Sequence, residues 1–183
     1  RLLLYTNDSN LRQKLITYID NDNMTLSKSV LNVYQNFNVN ERDIVSKKFF
    51  NKWSKNSIVL DSWFAFRASI EIENYIENLE NLFKHKYFDN KSPNTLRSIL
   101  NSFVSNNRFF HDKEGKGYKY IANKVIEYDK VNPIIISRFI KLFSRWDKYV
   151  EPYKTNMLNA IKFIDSHDLS INSREVIDLI LKK

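Results

Sequence analysis

The chain has three imidazoles, His85, His111 and His167. They lie too far apart in sequence to be read as one metal site, and none belongs to an H-E-x-x-H helix. His111-Asp112 and His167-Asp168 are dipeptides without ligand spacing, and lone histidines of this kind usually sit at the surface or in a hydrogen-bonded core. With no cysteine in the chain, a thiolate zinc site, an iron-sulfur cluster, a Cys nucleophile and a disulfide framework are all excluded. Ser, His and Asp occur, but without a nucleophile elbow. The run Glu114-Gly115-Lys116-Gly117-Tyr118 is too short for a dinucleotide fingerprint and follows no strand, so it reads as a turn. Glu71 and Glu73 are expected on a helix, at a spacing that puts them on different faces. The residues therefore predict no catalytic group, no metal ligand and no cofactor in this chain.

Charge supplies the other chemistry. Lys and Arg number 29 against 21 Asp and Glu, a net charge of +8. A basic surface interleaved with aromatics could hold nucleic acid through phosphates and base stacking. The cations, however, are spread along the whole chain, clusters such as Lys47-Lys48 are short, and the aromatics fall on apolar stripes where core packing accounts for them. Two arginines are sharper. Arg97 lies four residues after Pro93 and Arg138 five after Pro133, which puts both in the second turn of helices with marked starts. If the helix expected at 118–131 separates them in an up-down stack, their helices run parallel and open on one side. Two guanidiniums and two helix N-termini would then share a rim suited to a carboxylate.

The elements that would position them are helical. Two glycines and three prolines among 183 residues leave too little turn chemistry for an all-β chain. Apolar residues recur at helical spacing: Leu11, Leu15 and Ile19; Leu26, Val30, Val33, Tyr34 and Phe37; Ile44, Val45, Phe49 and Trp53. Residues 58–68 are apolar on nearly every side and are expected at the centre. Ser92-Pro93 and Asn132-Pro133 read as cap followed by first helical residue, and Pro152 opens a helix carrying Met157, Leu158, Ile161 and Ile164. The pattern predicts roughly nine or ten short helices, one domain over 1–183, and an all-α fold of antiparallel pairs stacked as a HEAT- or armadillo-like right-handed superhelix. A compact irregular bundle is the alternative. Segment 106–117, with both glycines and His111, is the one long irregular stretch. A chain of this length can bury roughly 70% of its unfolded surface without staples. No apolar run approaches the ~20 residues of a membrane span, so a soluble, cytoplasmic protein is expected.

Four segments occur in order: Leu60-Asp61-Ser62-Trp63-Phe64-Ala65, Ser92-Pro93-Asn94-Thr95-Leu96-Arg97-Ser98-Ile99, the loop from Phe110-His111 to Gly115-Lys116-Gly117-Tyr118, and Asn132-Pro133-Ile134-Ile135-Ile136-Ser137-Arg138. Together with Asn23-Met24-Thr25 and residues 49–55, they resemble the C-terminal helical domain of bacterial-type aminopeptidase N, a gluzincin zinc metallopeptidase. The likeness extends over essentially the whole chain.

That resemblance implies a C-terminal fragment of a longer enzyme whose catalytic part is absent from this sequence. The zinc helix, the downstream Glu ligand and the groups that hold the substrate amine belong to an earlier domain, where a zinc-bound water attacks the first peptide bond. The helical domain is implied to cap the active-site chamber and to line the primed side of the substrate channel. The catalytic domain of the same polypeptide and peptide substrates are the implied partners. Arg97 and Arg138 match channel-facing arginines of the family. Ile134, one turn before Arg138, stands where relatives often carry Gln, which implies an apolar preference after the cleaved bond. The competing expectation is a self-standing helical scaffold that binds an acidic protein or nucleic acid through its basic surface. Apolar residues 1–5 are expected to be exposed if a partner domain is missing.

Overall fold

The structure is a computed structural model that describes residues 8–35, 37 and 39–182. The expected exposure of residues 1–5 lies outside the described residues. Eleven α-helices and short 3-10 turns, with no strand, make up the described chain. The all-α expectation therefore holds. None of these helices is long and apolar enough to cross a membrane.

Short polar connections begin the helices by a common device. The side chains of Asp8, Asn23, Asn56, Ser92 and Ser170 each accept backbone N–H bonds from the first turn of the helix that follows. These donors have no partner within the helix, so each cap contributes about 1 kcal/mol. The chain divides into two compact units, Arg1–Phe88 and Asp89–Lys183.

In the first unit, α1 (Ser9–Thr17), α2 (Met24–Val33), α3 (Val39–Trp53), α4 (Ser57–Ala68) and α5 (Tyr75–Phe83) follow one another. Helix α4 packs on α2, α3 and α5 and buries Val59, Leu60, Trp63, Phe64, Phe66 and Ala68, which is why its sequence is apolar on so many sides. Ile58 departs from that expectation and is 76% exposed. The Trp63 indole donates to Ser46 Oγ of α3 at 3.0 Å, so its polar edge is satisfied inside the core.

Glu71 and Glu73 are not helical, contrary to the sequence expectation. Helix α4 ends at Ala68 because its last carbonyls are taken by side chains: Tyr75 Oη donates to Ala68 O, Asn78 Nδ2 to Arg67 O at 3.1 Å and Ser69 Oγ to Phe66 O at 2.7 Å. Apolar spacing alone does not reveal such a stop.

The second unit comprises α6 (Pro93–Val104), α7 (Asn107–Phe110), α8 (Lys116–Tyr128), α9 (Pro133–Ile140), α10 (Tyr153–Asp165) and α11 (Ile171–Leu181). Helix α8 is its axis, packed on α7, α9 and α10, while α9 and α10 both meet α11. Phe103 of α6 reaches Tyr120 of α8, with ring centroids 5.0 Å apart. The buried Asp129 carboxylate accepts from Ser170 N, Ser170 Oγ and Ser173 Oγ, joining the end of α8 to the start of α11.

Segment 106–117 is more ordered than the sequence reading allows. It contains α7, and α8 begins at Lys116 rather than at 118. Gly115 adopts φ 73°, a left-handed conformation that glycine tolerates. A Cβ on Gly117 would meet the Phe109 and Phe110 carbonyl oxygens at 2.3 and 2.4 Å. The two glycines thus allow the chain to turn and α7 to abut α8.

Candidate functional site

Helix α6 presents Leu96, Ile99, Leu100 and Phe103 to the core and leaves Arg97 in solvent. The guanidinium is steadied from its own helix, Nη2 donating to Asn94 Oδ1 at 2.9 Å. Helix α9 divides in the same way. Ile135, Ile136, Phe139 and Ile140 are buried, whereas Ile134, 62% exposed, and Arg138 share the opposite face one turn apart. Neither Arg97 nor Arg138 forms an ion pair with the described residues. An exposed isoleucine beside an uncompensated guanidinium forms a surface with one apolar and one cationic element.

The starts of α6 and α9 are linked directly. Ser92 caps α6 as its sequence predicts, accepting from Thr95 N. Asn132 departs from the matching expectation for α9: its side chain makes no cap hydrogen bond. Instead Asn132, only 7% exposed, donates through Nδ2 to the Asn90 carbonyl at 2.7 Å, across 42 residues of sequence. Asn90 lies two residues before the α6 cap. Arg97 stands about 6 Å and Arg138 about 7.5 Å along their helices from Pro93 and Pro133 at the α-helical rise. Both guanidiniums thus leave the second turn of helices that begin at one corner.

The histidines are placed separately. His85 lies in the first unit among Phe50, Trp63, Phe64 and Tyr87, with centroids 5.2 to 5.8 Å away. Burial, and then the Lys86 charge, push its imidazole below the ordinary histidine range. In the second unit, His111 Nδ1 lies 2.6 Å from Tyr118 Oη and its ring stacks on Tyr149. Burial lowers the His111 pKa and raises that of Tyr118 to about 12, which favours the neutral form of both partners in this hydrogen bond. His167 Nδ1 contacts the Phe163 carbonyl at 2.8 Å. Among the described residues no group of three or more His, Cys, Asp or Glu side chains could hold a metal ion.

Sequence reasoning took Asn132 as a cap and passed over Asn90, whose contribution is a backbone carbonyl and carries no side-chain signal. It also passed over a groove walled by α8 and α10. The signal there was present in the pair Ala122 and Ala160, small residues on the core-facing sides of two packed helices.

Comparisons with known proteins bear on this arrangement. A family model described as "Domain of unknown function (DUF3458_C) ARM repeats" matches residues 1–182. Aminopeptidase N of Haemophilus influenzae is 32% identical over 162 residues, which cover 87% of this chain and 18% of that protein. Aminopeptidase N of Escherichia coli is 30% identical over 122 residues, 66% of this chain and 14% of the relative. A crystal structure of Legionella pneumophila aminopeptidase A in complex with aspartic acid superposes with a TM-score of 0.82 at 27% identity, covering 94% of this chain and 21% of that one. The chain thus spans about a fifth or less of the relatives it matches.

Proposed function

The chain belongs to the DUF3458_C family of ARM-repeat domains, and on that premise we propose that it is the non-catalytic C-terminal helical domain, 1–183, of a longer aminopeptidase that removes N-terminal residues from peptides. The similarity to three aminopeptidases N, each over a small part of its length, supports this reading. In it, the partner is the catalytic domain of the same polypeptide, which would carry the zinc, and the helical domain caps the active-site chamber. A cytoplasmic location is part of this proposal.

Within the domain, Arg97, Ile134 and Arg138 are assigned to the primed side of the substrate channel. The observation that carries this assignment is the common corner made by Asn132 and Asn90, from which both arginine-bearing helices depart. A guanidinium can take a carboxylate through two parallel N–H bonds, and it keeps its charge at any physiological pH. Arg97 and Arg138 would hold the C-terminal or acidic part of a peptide. Ile134 cannot hydrogen-bond a peptide carbonyl and would favour an apolar side chain beyond the scissile bond.

The purified 183-residue chain, assayed on an alanyl chromogenic substrate with and without added zinc, is expected to give no turnover. Metal-dependent hydrolysis by this chain alone would overturn the assignment.

A further inference from the structure

The second unit contains a groove between two of its helices. It encloses about 250 Å³ between α8 and α10. Its floor is Ala122 and Ala160, both buried, and one wall is Phe163, whose ring is 40% exposed. The two alanines leave room where longer side chains would fill the helix interface. None of Arg97, Ile134 or Arg138 lines it.

The rim is polar and partly uncommitted. The Lys119 ammonium on α8 forms no ion pair or hydrogen bond with the described residues, and the side-chain amide of Asn159 on α10 is equally free. Asn156 is fixed in place: its Nδ2 donates to the Lys113 carbonyl at 2.9 Å, and its side chain packs where a Cβ on Gly115 would stand. That leaves Asn156 Oδ1 as an acceptor. Glu114, the acidic member of the rim, is already paired with Lys116. The unmatched groups are therefore the Lys119 ammonium, the Asn159 amide and the Asn156 Oδ1 acceptor above an apolar floor.

We infer that this groove binds a small carboxylate with an apolar body the size of an aromatic or branched amino-acid side chain. A cavity of ~150 Å³ accommodates a benzene ring, so the larger volume here holds one ring and a short linker to a head group. The carboxylate meets Lys119 and the Asn159 Nδ2 donors, while the ring rests on Ala122, Ala160 and Phe163. The cation fixes the sign of the head group, and the alanines set the size of the body.

The test is titration calorimetry on the 183-residue chain with 3-phenylpropionate and its neutral partner 3-phenylpropanamide. Saturable binding of the acid is expected, with the amide at least about fivefold weaker and the acid weakened by added salt. Lys119→Gln, at an exposed position, should reduce acid affinity about threefold to tenfold and bring the acid and amide to similar affinities. Ala160→Leu, which fills the floor, should abolish binding of both. Should its circular dichroism show a folding defect, Asn159→Ala on the exposed rim provides the second probe, with acid binding weakened about threefold. No saturable binding of the acid, equal affinity for acid and amide, or no change in Lys119→Gln would each overturn the proposal.

Discussion

Asn132 Nδ2 donates to the Asn90 carbonyl at 2.7 Å, and this one bond ties the entry of α9 to the entry of α6. The donor residue is almost fully buried, whereas Asn90 on the acceptor side lies at the surface. It sets beside one another the starts of the two helices that carry the exposed Arg97 and Arg138.

Asn132→Ala should therefore destabilise the chain by about 1 kcal/mol, the net worth of one hydrogen bond, since Asn90 lies at the surface and its carbonyl is open to water. Urea denaturation with an unchanged slope would report this. Asn132→Asp, which restores shape but offers no donor, should be no more stable than the alanine variant.

In the longer aminopeptidase proposed for this domain, Arg97→Ala and Arg138→Ala should each raise KM for peptides by about fivefold or more, through loss of a charge-assisted bond to carboxylate. Hydrolysis of a single-residue amide, which has no primed side, should change by less than about twofold. Equal losses on both substrates would remove the channel role from these arginines.

Ile134→Gln introduces a hydrogen-bonding side chain on the exposed face of α9. It should lower the ratio of kcat/KM for peptides with an apolar second residue to that for peptides with a polar one by about tenfold, the low end of the range associated with one lost apolar contact. An unchanged ratio would show that Ile134 does not meet the substrate.

Acid sensitivity should come from His85 and His111. Burial lowers both pKa values in the folded chain, whereas the unfolded chain titrates near the ordinary 6.5. Below that pH the unfolded state binds more protons, so stability is fully present above 6.5 and is lost as pH falls toward the depressed folded values. Thermal melts across this window should show a declining Tm, and the slope should flatten in His85→Gln. A slope unaffected by removing either imidazole would contradict this account.

Gly117→Ala should cost several kcal/mol, because the new methyl would lie against two backbone carbonyl oxygens that cannot turn aside. Asp129→Ala should cost about 3 kcal/mol or more, as three donors at the start of α11 lose a buried acceptor. Both effects can be read as shifts in denaturation midpoint.

The linear pattern identified the helices whose apolar periodicity is repeated and whose caps are local. Ser92-Pro93 marked the start of α6, and the apolar density of residues 58–68 marked the centrality of α4. It mistook Glu71 and Glu73 for helical because the groups that end α4 come from the next helix. It left α7 unread because four residues give no period to detect.

Composition and spacing alone determined the all-α class, the exclusion of cysteine chemistry, and the position of Arg97 and Arg138 in the second turn of their helices. These properties are set by residue type and by the 3.6-residue repeat, both of which are local. Tertiary structure alone decided that Asn132 would bridge rather than cap, that His111 would be held by Tyr118, and that Ala122 and Ala160 would line one groove. Each of these joins elements that sequence separates or orients a side chain against a neighbour. Such pairings depend on how helices pack, and no local pattern encodes them.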